Sequence, residues 1–153
     1  MQKHVARGTV AAANLLNGSL TLDFVLSGSC ERWRAMGRRR GHRAITLSIV
    51  IPCYNEENTL KRCVEKVLEL ADENLILEII IVDDHSTDNS LAIAKELEKE
   101  HVELSVFCHA NNRGKGAALR TGFKEATGDF AAVQDADLEY DPRDLVRLLA
   151  PLI

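Results

Sequence analysis

Thr46–Glu57 reads TLSIVIPCYNEE, an apolar run that stops at Pro52 and opens into a polar loop. A short, largely apolar run of this kind, with only Thr46 and Ser48 polar, predicts a buried strand. Pro52 fixes the exit of the strand and removes one backbone donor. After the loop, Leu60, Cys63, Val64, Val67, Leu68 and Ala71 recur at three and four residues, which predicts an amphipathic helix. The cycle then repeats. LEIIIV (Leu77–Val82) predicts a second buried strand ending at Asp83-Asp84, and Leu91, Ile93, Ala94 and Leu97 mark a second helix. Val102–Cys108 alternates as a third strand. A glycine-containing loop, Asn111–Gly116, leads to a helix through Leu119, Phe123 and Ala126, closed by Gly128. Phe130–Val133 is the fourth strand and runs into Gln134-Asp135-Ala136-Asp137. Asp141 and Pro142 open a last helix in the usual capping order. Strands rich in Ile and Val that alternate with helices predict the α/β class, with a mainly parallel sheet and helices on both faces.

Charge divides the chain in two. Residues 1–44 carry eight Lys/Arg against two acids, a net of +6, whereas residues 45–153 carry eleven against twenty-one, a net of −10. The first part has no clear period and is expected to be a disordered basic leader. The second is an acidic globular domain, which argues against nucleic acid as a partner. The four cysteines, Cys30, Cys53, Cys63 and Cys108, form no C-x-x-C pair, so reduced thiols in a cytoplasmic setting are expected. No stretch has the length and apolar character of a spanning helix, so any membrane contact is expected to be peripheral.

Ligands of open α/β sheets bind beyond the carboxyl ends of the strands. Three predicted strands end in polar chemistry at that edge: Pro52, Tyr54 and Glu56 after the first, Asp83 and Asp84 after the second, Asp135 and Asp137 after the fourth. Residues two apart in extended backbone point the same way. Two carboxylates brought together there repel unless a cation lies between them. Hard oxygen donors suit Mg²⁺ or Mn²⁺, which complete their coordination with water and substrate phosphates. Glu139 is a candidate third acidic ligand. The same D-x-D is also what a solvated acidic turn capping the next helix looks like. Ile81 precedes Asp83 by two residues, so an apolar wall beside a carboxylate is available for a nucleobase; Asp83 or Asp84 may equally cap the following turn. Tyr54 offers a ring for stacking, and Glu56 an acceptor. Gly114 and Gly116 permit close backbone approach, and Lys115 carries a charge that suits a phosphate. The histidines His85, His101 and His109 show no metal spacing and are expected at the surface or in loops.

The blocks SIVIPCYNEENTL (Ser48–Leu60), EIIIVDDHSTDNS (Glu78–Ser90), NNRGKGAALRTGF (Asn111–Phe123) and GDFAAVQDADLEYDP (Gly128–Pro142) together resemble a family 2 glycosyltransferase with the GT-A fold. The N-x-G-K-G-x-A and D-A-D-L-x-x-x-P patterns are most similar to the dolichyl-phosphate mannose synthase and polyprenyl-phosphate glycosyltransferase type. The resemblance implies a Rossmann-like nucleotide-binding half over 45–153, with the acceptor half of the family lying beyond Ile153. It also implies an inverting, metal-dependent transfer of a hexose from a GDP-mannose or UDP-glucose type of donor to a dolichyl or polyprenyl phosphate. In the family the positions of Pro52, Tyr54, Glu56, Ile81 and Asp83 line the nucleoside pocket. Those of Asp135, Ala136 and Asp137 meet the diphosphate, with Asp135, Asp137 and Glu139 as candidate metal ligands; the position of Glu139 is often Gln in mannose synthases. Work at a lipid acceptor implies the cytoplasmic face of a membrane, with a membrane-anchoring subunit or domain as a partner. A non-catalytic nucleotide-sugar-binding module is the alternative.

Overall fold

The structure, a computed structural model, describes residues 11–16, 19–24 and 44–149 of the 153. Strands β1 (Ala11–Leu16) and β2 (Ser19–Phe24) pair antiparallel as a hairpin, in register from Ala11 opposite Phe24 to Leu16 opposite Ser19. The rest of the basic leader, and with it most of the expectation of disorder, lies outside the described residues.

From Ile45 the order is β3 (Ile45–Cys53), α1 (Leu60–Leu68), β4 (Leu75–Asp83), α2 (Ser90–Glu100), β5 (Leu104–Cys108), α3 (Lys115–Glu125), β6 (Phe130–Val133) and α4 (Arg143–Leu149). The last four strands form one parallel sheet in the order β5-β4-β3-β6. Leu47, Ile49, Ile51 and Cys53 of β3 face α1, α2 and α4, in a core shared with Leu60, Cys63, Val64 and Val67 of α1. On the other face Ile80 and Val82 pack with Ala118 of α3. The strands read as continuous apolar runs because both faces are covered.

Three details depart from the sequence reading. The α1 stripe was expected to reach Ala71, but the helix ends at Leu68. Leu70 N–H bonds the Val67 carbonyl at 3.0 Å, tightening the last turn, and Ala71 is exposed. The third strand starts at Leu104 rather than Val102, which is 99% exposed; a turn from His101 to Leu104 takes up the intervening residues. In α3 the buried residues are Ala117, Ala118 and Gly122, whereas Leu119 and Phe123 are half-buried. Small residues let this helix lie close on the sheet: a Cβ at Gly122 would stand 2.2 Å from Val50 Cγ1.

The connection through α1 and then α2 carries the chain from β3 to β4 and on to β5. The connection through α3 returns it past both to β6, on the far side of β3. Neighbours β3 and β6 are thus reached from opposite ends of the chain's path, and ligands of such sheets bind beyond the carboxyl ends of the strands. Cys53, Asp83 and Val133 close their strands at this edge.

Candidate functional site

The loops after β3 and β4 are laced into one surface. Asn55 N–H donates to Ser86 Oγ at 3.0 Å, and Asn55 Oδ1 accepts from Thr87 N–H at 2.8 Å. Glu57 N–H donates to Asp88 Oδ2 at 3.1 Å, while Glu57 Oε2 accepts from the backbone and side-chain N–H groups of Asn89, both at 3.0 Å. Glu56 N–H donates to Ser90 Oγ at 2.7 Å. Asn55 and His85 hold left-handed backbone, with φ of 57° and 64°, so both turns are tight and specified by these cross-links. Within this frame Tyr54 is exposed, Pro52 and Glu56 are half-buried, and Glu56 Oε2 accepts from Thr59 Oγ1 at 2.7 Å.

Asp83 is 1% exposed. Its Oδ2 accepts Ser86 N–H at 3.1 Å, and its Oδ1 is buried with no hydrogen-bond partner among the described residues. A buried acceptor without a partner is costly, which sets this oxygen apart from the other buried side-chain acceptors of the described residues. Ile81, expected as an apolar wall, is fully buried in the core beneath Asp83. The helices that cover this face of β4 leave it no surface for a ring.

Asp84 behaves differently. Its side chain is 3% exposed and satisfied throughout. It accepts from His109 Nδ1 at 2.6 Å, from Arg113 N–H at 2.9 and 3.1 Å, and from Gly114 N–H at 2.6 Å. Burial pushes the carboxyl up, but the donors of His109, Arg113 and Gly114 outweigh it and hold the group below its ordinary value. Asp84 therefore anchors the glycine loop after β5 rather than capping the turn that follows β4. His109 lies in the loop after β5, one of the two settings expected for it, with its side chain turned inward. Its side chain is 7% exposed, wedged between Asp84 and Thr121 Oγ1, the latter 2.9 Å from Nε2. Gly114, at φ 82°, makes the turn into α3.

The D-x-D segment leaves β6 through Gln134, a residue the sequence reading passed over. Gln134 is 2% exposed; its N–H donates to the Val50 carbonyl at 3.0 Å, and its Nε2 spans the Asp135 and Tyr140 carbonyls at 3.1 and 3.2 Å. The Cys63 thiol, buried in α1, donates to the Asp135 carbonyl at 3.5 Å. Burial, then the nearby charges of Asp137 and Asp135, push this thiol up to about 12. Ala136 turns inward at 3% exposure, Asp137 is exposed, and Asp137 Oδ1 accepts Glu139 N–H at 3.1 Å. Lys115 Nζ stands 2.7 and 2.8 Å from the two oxygens of Asp135.

Among the described residues no group of three or more His, Cys, Asp or Glu is arranged to hold a metal ion, so Asp135, Asp137 and Glu139 do not form a closed protein cage. The donor set nevertheless fits a hard divalent cation. Asp135 already carries an ammonium across its carboxylate, and Mg²⁺ or Mn²⁺ characteristically takes one or two carboxylates with water and phosphate oxygens.

A parallel four-stranded sheet covered by helices, with acidic loops beyond its carboxyl edge, is the α/β arrangement of the GT-A glycosyltransferases. The chain belongs to glycosyl transferase family 2, whose sequence profile matches residues 48–153. It is 36% identical over 108 residues to undecaprenyl-phosphate 4-deoxy-4-formamido-L-arabinose transferase of Proteus mirabilis, covering 68% of this chain and 32% of that protein. It is 35% identical over 103 residues to dolichol-phosphate mannosyltransferase of Pyrococcus furiosus, covering 67% and 29%. Glucosyl-3-phosphoglycerate synthase of Mycobacterium tuberculosis, solved with Mn²⁺, UDP and glucosyl-3-phosphoglycerate, superposes at a TM-score of 0.58 with 27% identity, covering 71% of this chain and 39% of that one. The chain spans about a third of the length of these relatives.

Proposed function

We propose that residues 45–153 are the nucleotide-sugar-binding part of an inverting glycosyltransferase that moves a hexose from a GDP- or UDP-linked donor to a dolichyl or polyprenyl phosphate. The observation that carries the reading is the pairing, along one sheet edge, of an unsatisfied buried acceptor at Asp83 Oδ1 with an acidic loop at Asp135–Asp137. A nucleoside diphosphate has the matching order of groups: ring N–H donors at one end and anionic oxygens with their cation at the other. Relatives named for undecaprenyl-phosphate and dolichol-phosphate transfer support the acceptor class. The neighbour solved with Mn²⁺ and UDP supports the donor class and the cation.

In this reading Asp83 accepts a nucleobase N–H, Tyr54 stacks on the ring, and Glu56 accepts from the ribose or base. Pro52 shapes the strand exit, and Ile81 backs Asp83 from the core. Asp135 and Asp137 hold Mg²⁺ or Mn²⁺, with Ala136 setting their spacing and Glu139 beside them. When bound, the cation neutralises charge developing on the departing diphosphate. A phosphate monoester acceptor has its second pKa at about 6, so it is substantially ionised near neutrality and needs no strong general base from the protein. Among the described residues no helix is long and apolar enough to cross a membrane. Peripheral work at the cytoplasmic face, through a membrane-anchoring subunit or domain, follows from the lipid acceptor.

Calorimetric titration of GDP and UDP with and without Mn²⁺, on the native chain and on Asp137→Ala, tests this. The expected result is metal-dependent binding of one of the two diphosphates that the substitution removes. Equal affinity in the native chain and the variant overturns the metal assignment.

A further inference from the structure

We propose that Lys115 is a resident counter-ion for Asp135 that disfavours binding of a free divalent cation and so makes cation binding depend on the diphosphate. The proposal rests on the reading of Asp135 as a cation ligand. The ammonium lies 2.7 and 2.8 Å from the two carboxylate oxygens and so engages both oxygens that a cation would use. The pair joins the start of α3 to the loop after β6 at the sheet edge, and the backbone position of Lys115 is built. Arg113 and Gly114, immediately before Lys115, donate their N–H groups to the buried Asp84, and the left-handed turn at Gly114 starts α3 at Lys115.

Two cations cannot share the same carboxylate oxygens at hydrogen-bond distance without strong mutual repulsion. A divalent ion that arrives alone must displace the ammonium into water. One that arrives with a diphosphate brings negative oxygens within reach of the displaced lysine. Diphosphate therefore strengthens metal binding by more than its own coordination, and by linkage the metal strengthens diphosphate binding by the same factor.

The test is Mn²⁺ affinity of the full chain, by calorimetry, without nucleotide and with saturating GDP or UDP, for the native protein, Lys115→Met and Lys115→Arg. Lys115 is 55% exposed in its side chain, so the variants are expected to fold, which circular dichroism checks. Lys115→Met should bind Mn²⁺ alone roughly two- to five-fold more tightly, the size expected on removing an exposed ion pair. The enhancement by nucleotide should shrink, and Lys115→Arg should behave as the native chain. Unchanged or weaker binding of Mn²⁺ alone by Lys115→Met overturns the proposal. Asp135→Asn separates the two levels: if it keeps native Mn²⁺ affinity with nucleotide present, the assignment of Asp135 to the metal fails, and the counter-ion role with it.

Discussion

The two acidic pairs at the sheet edge have nearly the same composition and opposite construction. Asp83-Asp84 is buried at 1% and 2% exposure, and its geometry is dictated by the protein. Asp135 and Asp137 lie on a loop whose Asp135 carbonyl is held by Gln134 and Cys63, with the half-buried Asp135 carboxylate paired to Lys115 and Asp137 exposed. Burial turns a carboxylate into a structural part or a specific acceptor, because every unfilled lone pair there is costly. Exposure leaves a carboxylate free to exchange partners, which suits a cation that must come and go. Within the buried pair the division is finer still: Asp84 is filled by its own chain, and Asp83 keeps one oxygen open.

The most damaging way to probe the contrast is Asp84→Ala. It strips partners from His109 and from the Arg113 and Gly114 N–H groups at once. Leaving buried donors unmatched costs about 1–3 kcal/mol each where water cannot reach, so a loss of about 3 kcal/mol is expected. A fall in the urea midpoint at unchanged slope measures it. A loss below about 1 kcal/mol would mean the glycine loop holds itself without Asp84.

Acid gives a smaller and graded effect. Asp84 is held below its ordinary value, with burial opposing and the donors of His109, Arg113 and Gly114 prevailing. Glu78 is also lowered: burial opposes, and Ser48, Thr127 and Gly128 prevail, joining the end of α3 to β3 and β4. Both groups favour the ionised form when folded. Their stabilisation is complete above the unfolded carboxyl values of about 4 and is lost as pH falls through the lower folded values. The urea midpoint should therefore decline below about pH 4, and less steeply in Glu78→Gln than in the native chain.

The parts legible in the sequence are those whose signal is local. Thr46–Ile51 and Leu77–Val82, the centres of β3 and β4, announce themselves because strands covered on both faces are largely apolar, and α1 because one face of it alone is buried. Helix α3 was misread on its inner face because its close approach needs Gly122 and Ala118, which carry little apolar weight in a periodicity. Asp83, Asp135 and Asp137 were legible as strand-end acids. The roles of Asp84, His109 and Gln134 were not, since their partners lie in other elements and no spacing encodes them. The link between Lys115 and Asp135, twenty residues apart, arises only when α3 returns the chain across the sheet.

The smallest expected change in stability is the sharpest test of the contrast. Asp137 is exposed, and the hydrogen bond its side chain accepts from Glu139 N–H lies at the surface. Replacing it by Ala removes no buried partner, so stability should move by less than about 0.5 kcal/mol. It should even rise slightly, since one of two neighbouring negative charges is gone. If Asp137→Ala instead cost as much as Asp84→Ala, the D-x-D loop would be a structural turn whose acids hold the fold. A near-neutral urea midpoint, combined with lost Mn²⁺-dependent diphosphate binding, separates a carboxylate kept for a ligand from one kept for the chain.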